Sequence, residues 1–549
     1  MKCFDILAQG FRQEGVGTCF ALLGDANMHF ATRLAEGGCR MIYVRHEHCA
    51  VAAAMAYARK SGETGVATVT CGPGLTQLMT ALPAAVRAGI PMVILAGEPP
   101  LKSGWYNQAI DQAPFVTATG AAYHSLHWPA RMPIAIRDAF AQATREQRPV
   151  VLGIPFDLQE RDWEGAVDLP PPSATLVPET GPVPPNPDDL ARIAGVVGAA
   201  RRVVVMAGMG AVAAGAGPAC RALAQACDGL LATTLPARGL FHDDPFSIGI
   251  AGGFSSGVSR DCFGEADLVI GVGTSLASHN ADAGRLWPNA KVLQIDLDPI
   301  SVSQGRVAAQ MHLRADARLG VEALTAAIPV RPAEWRSDAL AERIKTTPAD
   351  SAEFEIEPGL HDPRAVVQAL NAAIPQGWQL VNSSGHCSYF FAQMPGRPYE
   401  EFLTIREFGA IGNGISFAMG VAAARPDVPT VMFDGDGSLL MHVQELETIV
   451  RHKLNILIVV LNDGAYGSEI HKLRAEGISD EGAVFGRTDL AAIARGFGAG
   501  GKTLTDLSAL PDMVADFAKD GGAAVWDVPI SDQVISPVVR RSHWSGKAH

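Results

Sequence analysis

No apolar run in this chain of 549 residues approaches the roughly 18 residues that a membrane-spanning helix needs, so no membrane span is expected. Positive charge is in deficit: Lys and Arg number 44 against 57 Asp and Glu, a formal net charge of −13. That excess disfavours a nucleic-acid backbone as partner. The nine cysteines are scattered without a C-x-x-C pair, which favours neither a disulfide framework nor zinc and reads as small buried residues. The opening segment M-K-C-F-D-I-L-A-Q-G-F-R-Q-E carries charges throughout and reads as an amphipathic helix rather than a signal peptide. Together these absences point to a cytoplasmic globular enzyme.

What is present is alternation of strand and helix. Apolar runs at Cys19–Leu23, Met41–Val44, Gly65–Thr70, Pro91–Ala96 and Val150–Ile154 predict a parallel α/β unit. A second follows, with strands at Arg202–Ala207, Leu268–Val272 and Lys291–Asp296 and a helix at Pro218–Ala226. A third runs from His361 to about Asp527. The Pro-rich stretch 168–190 and the charged stretch 330–362 read as linkers. The expectation is α/β with three doubly wound parallel-sheet domains, at 1–165, 188–330 and 360–530, followed by a tail, 531–549, whose fold does not follow from its sequence.

The third unit contains the most informative stretch, V-P-T-V-M-F-D-G-D-G-S-L-L-M-H-V-Q-E-L-E-T-I-V-R-H-K-L-N-I-L-I-V-V-L-N-D-G-A-Y-G-S-E at 428–469. Val431 to Phe433 reads as a strand and Gly435-Asp436-Gly437-Ser438 as a turn. Leu439, Val443, Leu446 and Val450 recur at helical spacing, with Glu445 and Glu447 between them. Ile456 to Leu461 reads as a strand buried on both faces, ending in Asn462-Asp463-Gly464. A βαβ unit brings the carboxyl ends of its strands to one edge, where open α/β sheets bind ligands. Asp436 and Asp463 both fall just past those ends, and two hard carboxylate ligands there suit Mg²⁺, which keeps other positions for water and phosphate. The N–H groups of Gly437 and Ser438 at a helix start suit an anion. The plain alternative is a surface turn with two solvated Asp residues.

This stretch resembles the thiamine diphosphate-binding motif of the pyruvate decarboxylase/acetolactate synthase superfamily, which includes benzaldehyde lyase-like members; in that motif G-D-G is followed after about two dozen residues by N-N or N-D. The resemblance implies Asp436, Asp463 and the Ala465 carbonyl as metal ligands, with Gly435, Gly437, Ser438 and Tyr466 among the cofactor contacts. Phe408-Gly409-Ala410-Ile411-Gly412-Asn413-Gly414 resembles the segment that holds the cofactor bent, Gly409 accepting from its amino group and Ile411 wedged between its rings. Asn382-Ser383-Ser384-Gly385-His386 resembles the loop over the diphosphate, with Gly385 and His386 as contacts.

In the first unit Arg45-His46-Glu47 at the start of an Ala-rich helix resembles the family's R-H-E-x-x-A. There the Glu protonates the aminopyrimidine ring and so favours the tautomer that can take up the thiazolium C2 proton. The bland reading of Glu47 is a helix-start carboxylate answering the dipole. Gly72-Pro73-Gly74 resembles the turn beside the pyrimidine. Gly24-Asp25-Ala26-Asn27 is similar to a decarboxylase segment that sets an Asp beside the substrate, although most Asp residues at such a place only cap a helix. Glu469 falls where the decarboxylases carry a catalytic Glu, and Asp25 and Glu469 are read as a pair of proton carriers. Gln108 and Gln112 resemble a Gln-bearing segment of the synthases and lyases, and the His-His pair of the decarboxylases is missing, which weakens a strict pyruvate decarboxylase reading. His29 is a candidate substrate neighbour.

Gly208-Met209-Gly210-Ala211-Val212-Ala213 after a strand suggests a dinucleotide site. The nearest acidic residue is Asp228, and G-T-S-L-A-S-H-N at 273–280 does not match the segment of FAD-binding relatives, which argues against FAD. The expected activity is thiamine diphosphate- and Mg²⁺-dependent decarboxylation of a 2-oxo acid; the alternatives are an acetolactate synthase-like or benzaldehyde lyase-like carboligase taking an aldehyde or second 2-oxo acid, and a non-catalytic nucleotide-binding regulatory protein. Because the superfamily's cofactor domains meet across a subunit interface, the resemblance implies a homodimer at least, and a homotetramer as a dimer of dimers.

Overall fold

The computed structural model describes residues 1–176, 178, 180–298 and 309–544. It contains three six-stranded sheets in which every strand pair runs parallel. The first comprises β1 (Thr18–Ala21), β2 (Arg40–Tyr43), β3 (Gly65–Val69), β4 (Met92–Glu98), β5 (Ala122–Ser125) and β6 (Pro149–Pro155), in the order β2-β1-β3-β4-β6-β5. The second comprises β7 (Val203–Ala207), β8 (Leu230–Thr233), β9 (Ser247–Ile250), β10 (Leu268–Val272), β11 (Lys291–Asp296) and β12 (Met311–Arg314), in the order β12-β11-β10-β7-β8-β9. The third comprises β13 (Gln379–Asn382), β14 (Phe402–Thr404), β15 (Thr430–Gly435), β16 (Ile456–Asn462), β17 (Gly500–Thr503) and β18 (Ala523–Pro529), in the order β14-β13-β15-β16-β18-β17. The three doubly wound parallel sheets expected from the alternation are therefore present. Their central strands are continuous apolar runs because helices cover both faces; β4, β6 and β16 are buried along their whole length.

The first and third sheets share one strand order, with the connection reversing between their first and third strands. That reversal opens a crevice at the carboxyl ends, the place where such sheets take ligands. One apolar core runs through both units. Its centre is the contact between the Ala-rich helices Glu47–Ser61 and Gly414–Ala424. Small side chains bring the two backbones close: a Cβ on Gly420 would lie 2.1 Å from the Ala53 carbonyl oxygen, so a larger residue would force the helices apart.

Several expectations change in detail. β15 extends through Asp434 and Gly435, so Gly435 ends a strand rather than opening a turn. The helix expected across Leu439–Val450 is two helices, Asp436–Leu439 and Glu445–Arg451; the intervening His442 is tied to the Gly412 carbonyl through Nδ1 at 2.9 Å. Because the helix is interrupted, its periodicity misplaced Glu445, which is 0% exposed. The Cys19–Leu23 run leaves the strand after Ala21. The stretch read as a linker at 330–362 contains the helix Asp338–Thr346, capped by Ser337. No helix among the described residues is long and apolar enough to cross a membrane.

Candidate active site

At the carboxyl edge of the third sheet lies a cleft of about 50 Å³ lined by Ser384, Gly385, His386, Cys387, Phe390, Ile411, Gly435, Asp436, Gly437, Ser438, Leu461, Asp463, Ala465, Tyr466, Gly467, Ser468, Glu469 and Ile530. Asp436 follows β15 and Asp463 follows the neighbouring β16. Asp436 accepts N–H bonds from Gly437 and Gly464, both at 2.8 Å; Asp463 accepts from Ala465 at 3.1 Å. Burial lifts Asp436 to about 6. Burial, and then the Asp436 charge, lift Asp463 well above the usual carboxylate range. Two neighbouring carboxylates, each lifted by burial, are electrostatically complementary to a cation. Groups of three or more His, Cys, Asp or Glu side chains able to hold a metal are absent among the described residues. Two carboxylates and main-chain oxygens suit Mg²⁺ completed by phosphate and water, and do not suit a closed zinc site.

The rest of the cleft fits a diphosphate. A Cβ on Gly437 would lie 2.8 Å from Cε1 of Tyr466, so a larger residue would have to displace the Tyr466 ring. Ser438 Oγ donates to Asp434 at 2.9 Å and accepts from the Gly412 N–H at 2.8 Å, joining the Asp436 turn to the segment bearing Ile411. Asp434, fully buried and lifted to about 7 by burial, was missed in the sequence because it sits inside an apolar strand. His386 is held neutral, its pKa pushed well down by burial and then by His471; its Nε2 accepts from the Ser536 N–H at 2.9 Å. The tail thus reaches the cleft wall at Ser536, which precedes the helix Pro537–Val539 and the turn Arg540–Trp544. Gly409, on the turn after Arg406, does not line the cleft. Glu469 lies at its mouth, exposed, with Oε1 3.4 Å from Lys472 Nζ.

The N-terminal candidates form a second group, and none of them lines that cleft. Glu47 opens its helix behind the N-cap His46, and burial raises its pKa. Gly74 packs beside it, with a would-be Cβ 3.4 Å from Glu47 Oε1. The Gly72 N–H donates to Gln112 Oε1 at 2.8 Å, while Gln112 Nε2 donates to Gly97 O at 3.0 Å and Tyr123 Oη at 3.1 Å. Gln112 therefore anchors the Gly72-Pro73-Gly74 turn. Gln108 Oε1 lies 3.5 Å from Cys71 Sγ and 3.4 Å from Tyr106 Oη. Asp25 is exposed, and its charge acts on the same Cys71 and Tyr106. His29 stacks on Phe4 at 5.1 Å and faces Glu160 at 3.7 Å, contacts that leave it outside both groups. The two groups approach each other where His48 Nε2 and Asn413 Oδ1 are hydrogen-bonded at 2.6 Å, one residue from Glu47 and two from Ile411.

Three family models match the chain: the thiamine pyrophosphate enzyme N-terminal TPP binding domain over residues 1–115, the central domain over 190–324 and the C-terminal TPP binding domain over 383–528. The chain belongs to the thiamine pyrophosphate enzyme family. Its relatives include an acetolactate synthase large subunit of Parasynechococcus marenigrum, 28% identical over 516 residues that cover 91% of this chain and 83% of that one. A chloroplastic acetolactate synthase 2 of Zea mays is 29% identical over 85% of this chain and 74% of its own. A probable 2-ketoarginine decarboxylase of Pseudomonas aeruginosa is 29% identical over 92% of this chain and 90% of its own. Membership makes this a thiamine diphosphate-dependent enzyme of the decarboxylase and carboligase kind.

In the central unit the Gly208-to-Ala213 loop is spent on packing: the Gly208 N–H donates to Val272 O at 2.9 Å and the Gly210 N–H to Gly273 O at 2.8 Å. Asp228 accepts the N–H groups of Glu334, Trp335 and Arg336 at 2.9, 2.6 and 3.0 Å. Its carboxylate tethers the segment after β12 rather than facing a ribose.

Proposed function

We propose that this enzyme is Mg²⁺-dependent and decarboxylates a 2-oxo acid. The observation that carries the reading is the pairing of buried Asp436 with half-buried Asp463 on a glycine-lined cleft at the carboxyl edge of the third sheet. Asp436, Asp463 and the Ala465 carbonyl would hold the metal; Gly385, His386, Gly437 and Ser438 would bind the diphosphate; Gly409 and Ile411 would meet the rings. When bound, thiamine diphosphate supplies the nucleophilic carbon and the electron sink for loss of CO₂. Glu47, its pKa raised by burial, holds a proton for the pyrimidine nitrogen. Gly72 and Pro73, fixed by Gln112, shape the wall beside that ring. Asp25 and Glu469 carry protons to and from substrate, and Gln108 lines its path.

The cleft of one chain is lined from the C-terminal unit alone. We infer that it is completed by the N-terminal group of a second copy in a homodimer, two of which form a homotetramer, in the cytoplasm. Carboligation is a second reading. It is favoured by Gln108 beside Cys71, where a decarboxylase would carry paired histidines, and by the acetolactate synthases among the relatives. Pyruvate, 2-oxobutyrate and benzoylformate, assayed for CO₂ release with aldehydes resolved from acyloins, separate the two. Aldehyde as main product supports simple decarboxylation, and acyloin alone overturns it. Calorimetry tests the enzyme reading against a nucleotide-binding regulator. Thiamine diphosphate binding that needs Mg²⁺ supports the enzyme, and NAD or FAD binding in its place contradicts it.

A further inference from the structure

Glu445 is 0% exposed, yet the chemistry above does not use it. It opens the helix Glu445–Arg451 of the C-terminal unit, and its carboxylate points across the seam between units. Oε1 accepts the N–H of Arg45 at 2.9 Å, and Oε2 accepts the hydroxyl of Thr448 at 2.6 Å. A carboxylate so buried is costly unless its oxygens are bonded, and here one of the two is satisfied from the segment that introduces Glu47. The same helix and the residue after it grip that segment at three more points. Glu447 pairs with Arg45 at 2.7 Å, His452 Nε2 accepts the Tyr43 N–H at 2.9 Å, and Arg451 Nη2 donates to the Tyr43 carbonyl at 2.5 Å.

Within its own unit, the start of the Glu47 helix has one side-chain cap, His46 Nδ1 accepting from the His48 N–H at 3.1 Å. Between the end of β2 and that helix, the Val44 N–H donates to Ala21 O at 2.9 Å within the unit, and the next N–H, that of Arg45, is held from the other unit. We propose that Glu445 is a positioning residue for Glu47: by accepting the backbone N–H of Arg45, it fixes where and at what angle the Glu47 helix begins. It touches neither substrate nor cofactor. Its action depends on hydrogen-bond acceptance at a set reach, so Gln serves in its place, whereas Ala, which lacks the acceptor, and Asp, one methylene shorter, do not. This rests on the role given to Glu47 above, and the experiment keeps the two separable.

Amide hydrogen exchange of the peptide spanning 43–50 is measured on cofactor-free enzyme, and C2–H exchange on enzyme saturated with Mg²⁺ and thiamine diphosphate. In Glu445→Ala and Glu445→Asp the peptide is expected to exchange about tenfold faster. C2–H exchange is expected to slow by about 10- to 100-fold, the cost of misplacing a catalytic group by about an ångström. Cofactor affinity should hold within about threefold, because its metal contacts lie elsewhere. Glu445→Gln is expected to stay within about threefold of wild type on both readouts. Glu447→Ala, which removes an exposed ion pair with the Arg45 side chain and leaves the backbone contacts to Arg45 and Tyr43 in place, serves as the control and should change neither by more than about twofold. Asp serves as the variant closest to native if Ala does not fold. The proposal is overturned if the Asp variant leaves both readouts at wild-type values, or if Gln is as damaging as Asp. Should Glu47→Gln itself leave C2–H exchange unchanged, the role of Glu47 falls, while the amide exchange of 43–50 still decides whether Glu445 places it.

Discussion

The first and third units are one fold used in two ways. Their strand orders are the same, β2-β1-β3-β4-β6-β5 and β14-β13-β15-β16-β18-β17, so each position at one carboxyl edge has a counterpart at the other. Past the third strand, the first unit has Cys71-Gly72-Pro73 with its N–H spent on Gln112; the third has Asp436. On the fourth strand, the first unit ends in Glu98, whose carboxylate takes the hydroxyls of Ser125 at 2.7 Å and Tyr123 at 2.5 Å. The third ends in Asn462, and its Asp463 answers to another carboxylate. After the second strand the roles exchange: the first supplies Glu47 and the third supplies Ile411 and Asn413. At the same edge the carboxylate of one unit is satisfied by hydroxyls, and that of the other faces a second carboxylate. Fold alone therefore does not decide function here; four or five side chains at the edge do.

Breaking the carboxylate pair of the third unit should have the largest effect. Asp436→Ala is expected to weaken Mg²⁺-dependent thiamine diphosphate binding by more than about 100-fold in calorimetry, whereas Pro73→Ala at the matching place should leave it within about threefold. Breaking the matching edge of the first unit acts on stability instead. Gln112→Ala strands the Gly72 N–H and Gly97 carbonyl, and denaturant unfolding should show a loss of roughly 1–3 kcal/mol with the metal requirement unchanged. A pH titration of cofactor-free enzyme sharpens the contrast. Because the folded pKa of Asp436 is raised to about 6, this group makes the fold less stable as pH rises from its unfolded value through about 6. Above that range the penalty is full, and below the unfolded pKa it vanishes. Asp436→Asn should therefore raise the melting temperature of cofactor-free enzyme at pH 7 and flatten its pH dependence; a lower melting temperature would contradict the buried-charge argument. The smallest effect is expected at His29. Its contacts are Phe4 and Glu160, so His29→Ala should change turnover less than about twofold.

The two halves were unequally legible in the sequence. Asp436 and Asp463 stand out because each ends an apolar strand abruptly, and a βαβ unit must bring such ends together. Asp434 and Glu445 were hidden for the opposite reason: one lies within an apolar strand, the other between the apolar positions of what read as a single helix, which the His442 turn breaks in two. β5 and β12 escaped notice because edge strands are only partly buried; Ala122–Ser125 has no fully buried residue. The helix Asp338–Thr346 buries none of its residues and so carries no apolar stripe strong enough to announce itself. The equivalence of the first and third units lies in strand order, which residue types do not report.

The central claim is a division of labour, in which the C-terminal edge holds metal and diphosphate while Glu47 of the N-terminal unit supplies the proton that activates the cofactor. It is tested most directly by NMR measurement of C2–H/D exchange in Glu47→Gln enzyme saturated with Mg²⁺ and thiamine diphosphate. Cofactor affinity should stay close to wild type while exchange slows by about 10²–10⁴-fold, the usual worth of a general acid or base. An exchange rate within about twofold of wild type would make Glu47 a helix-start residue only and contradict the account.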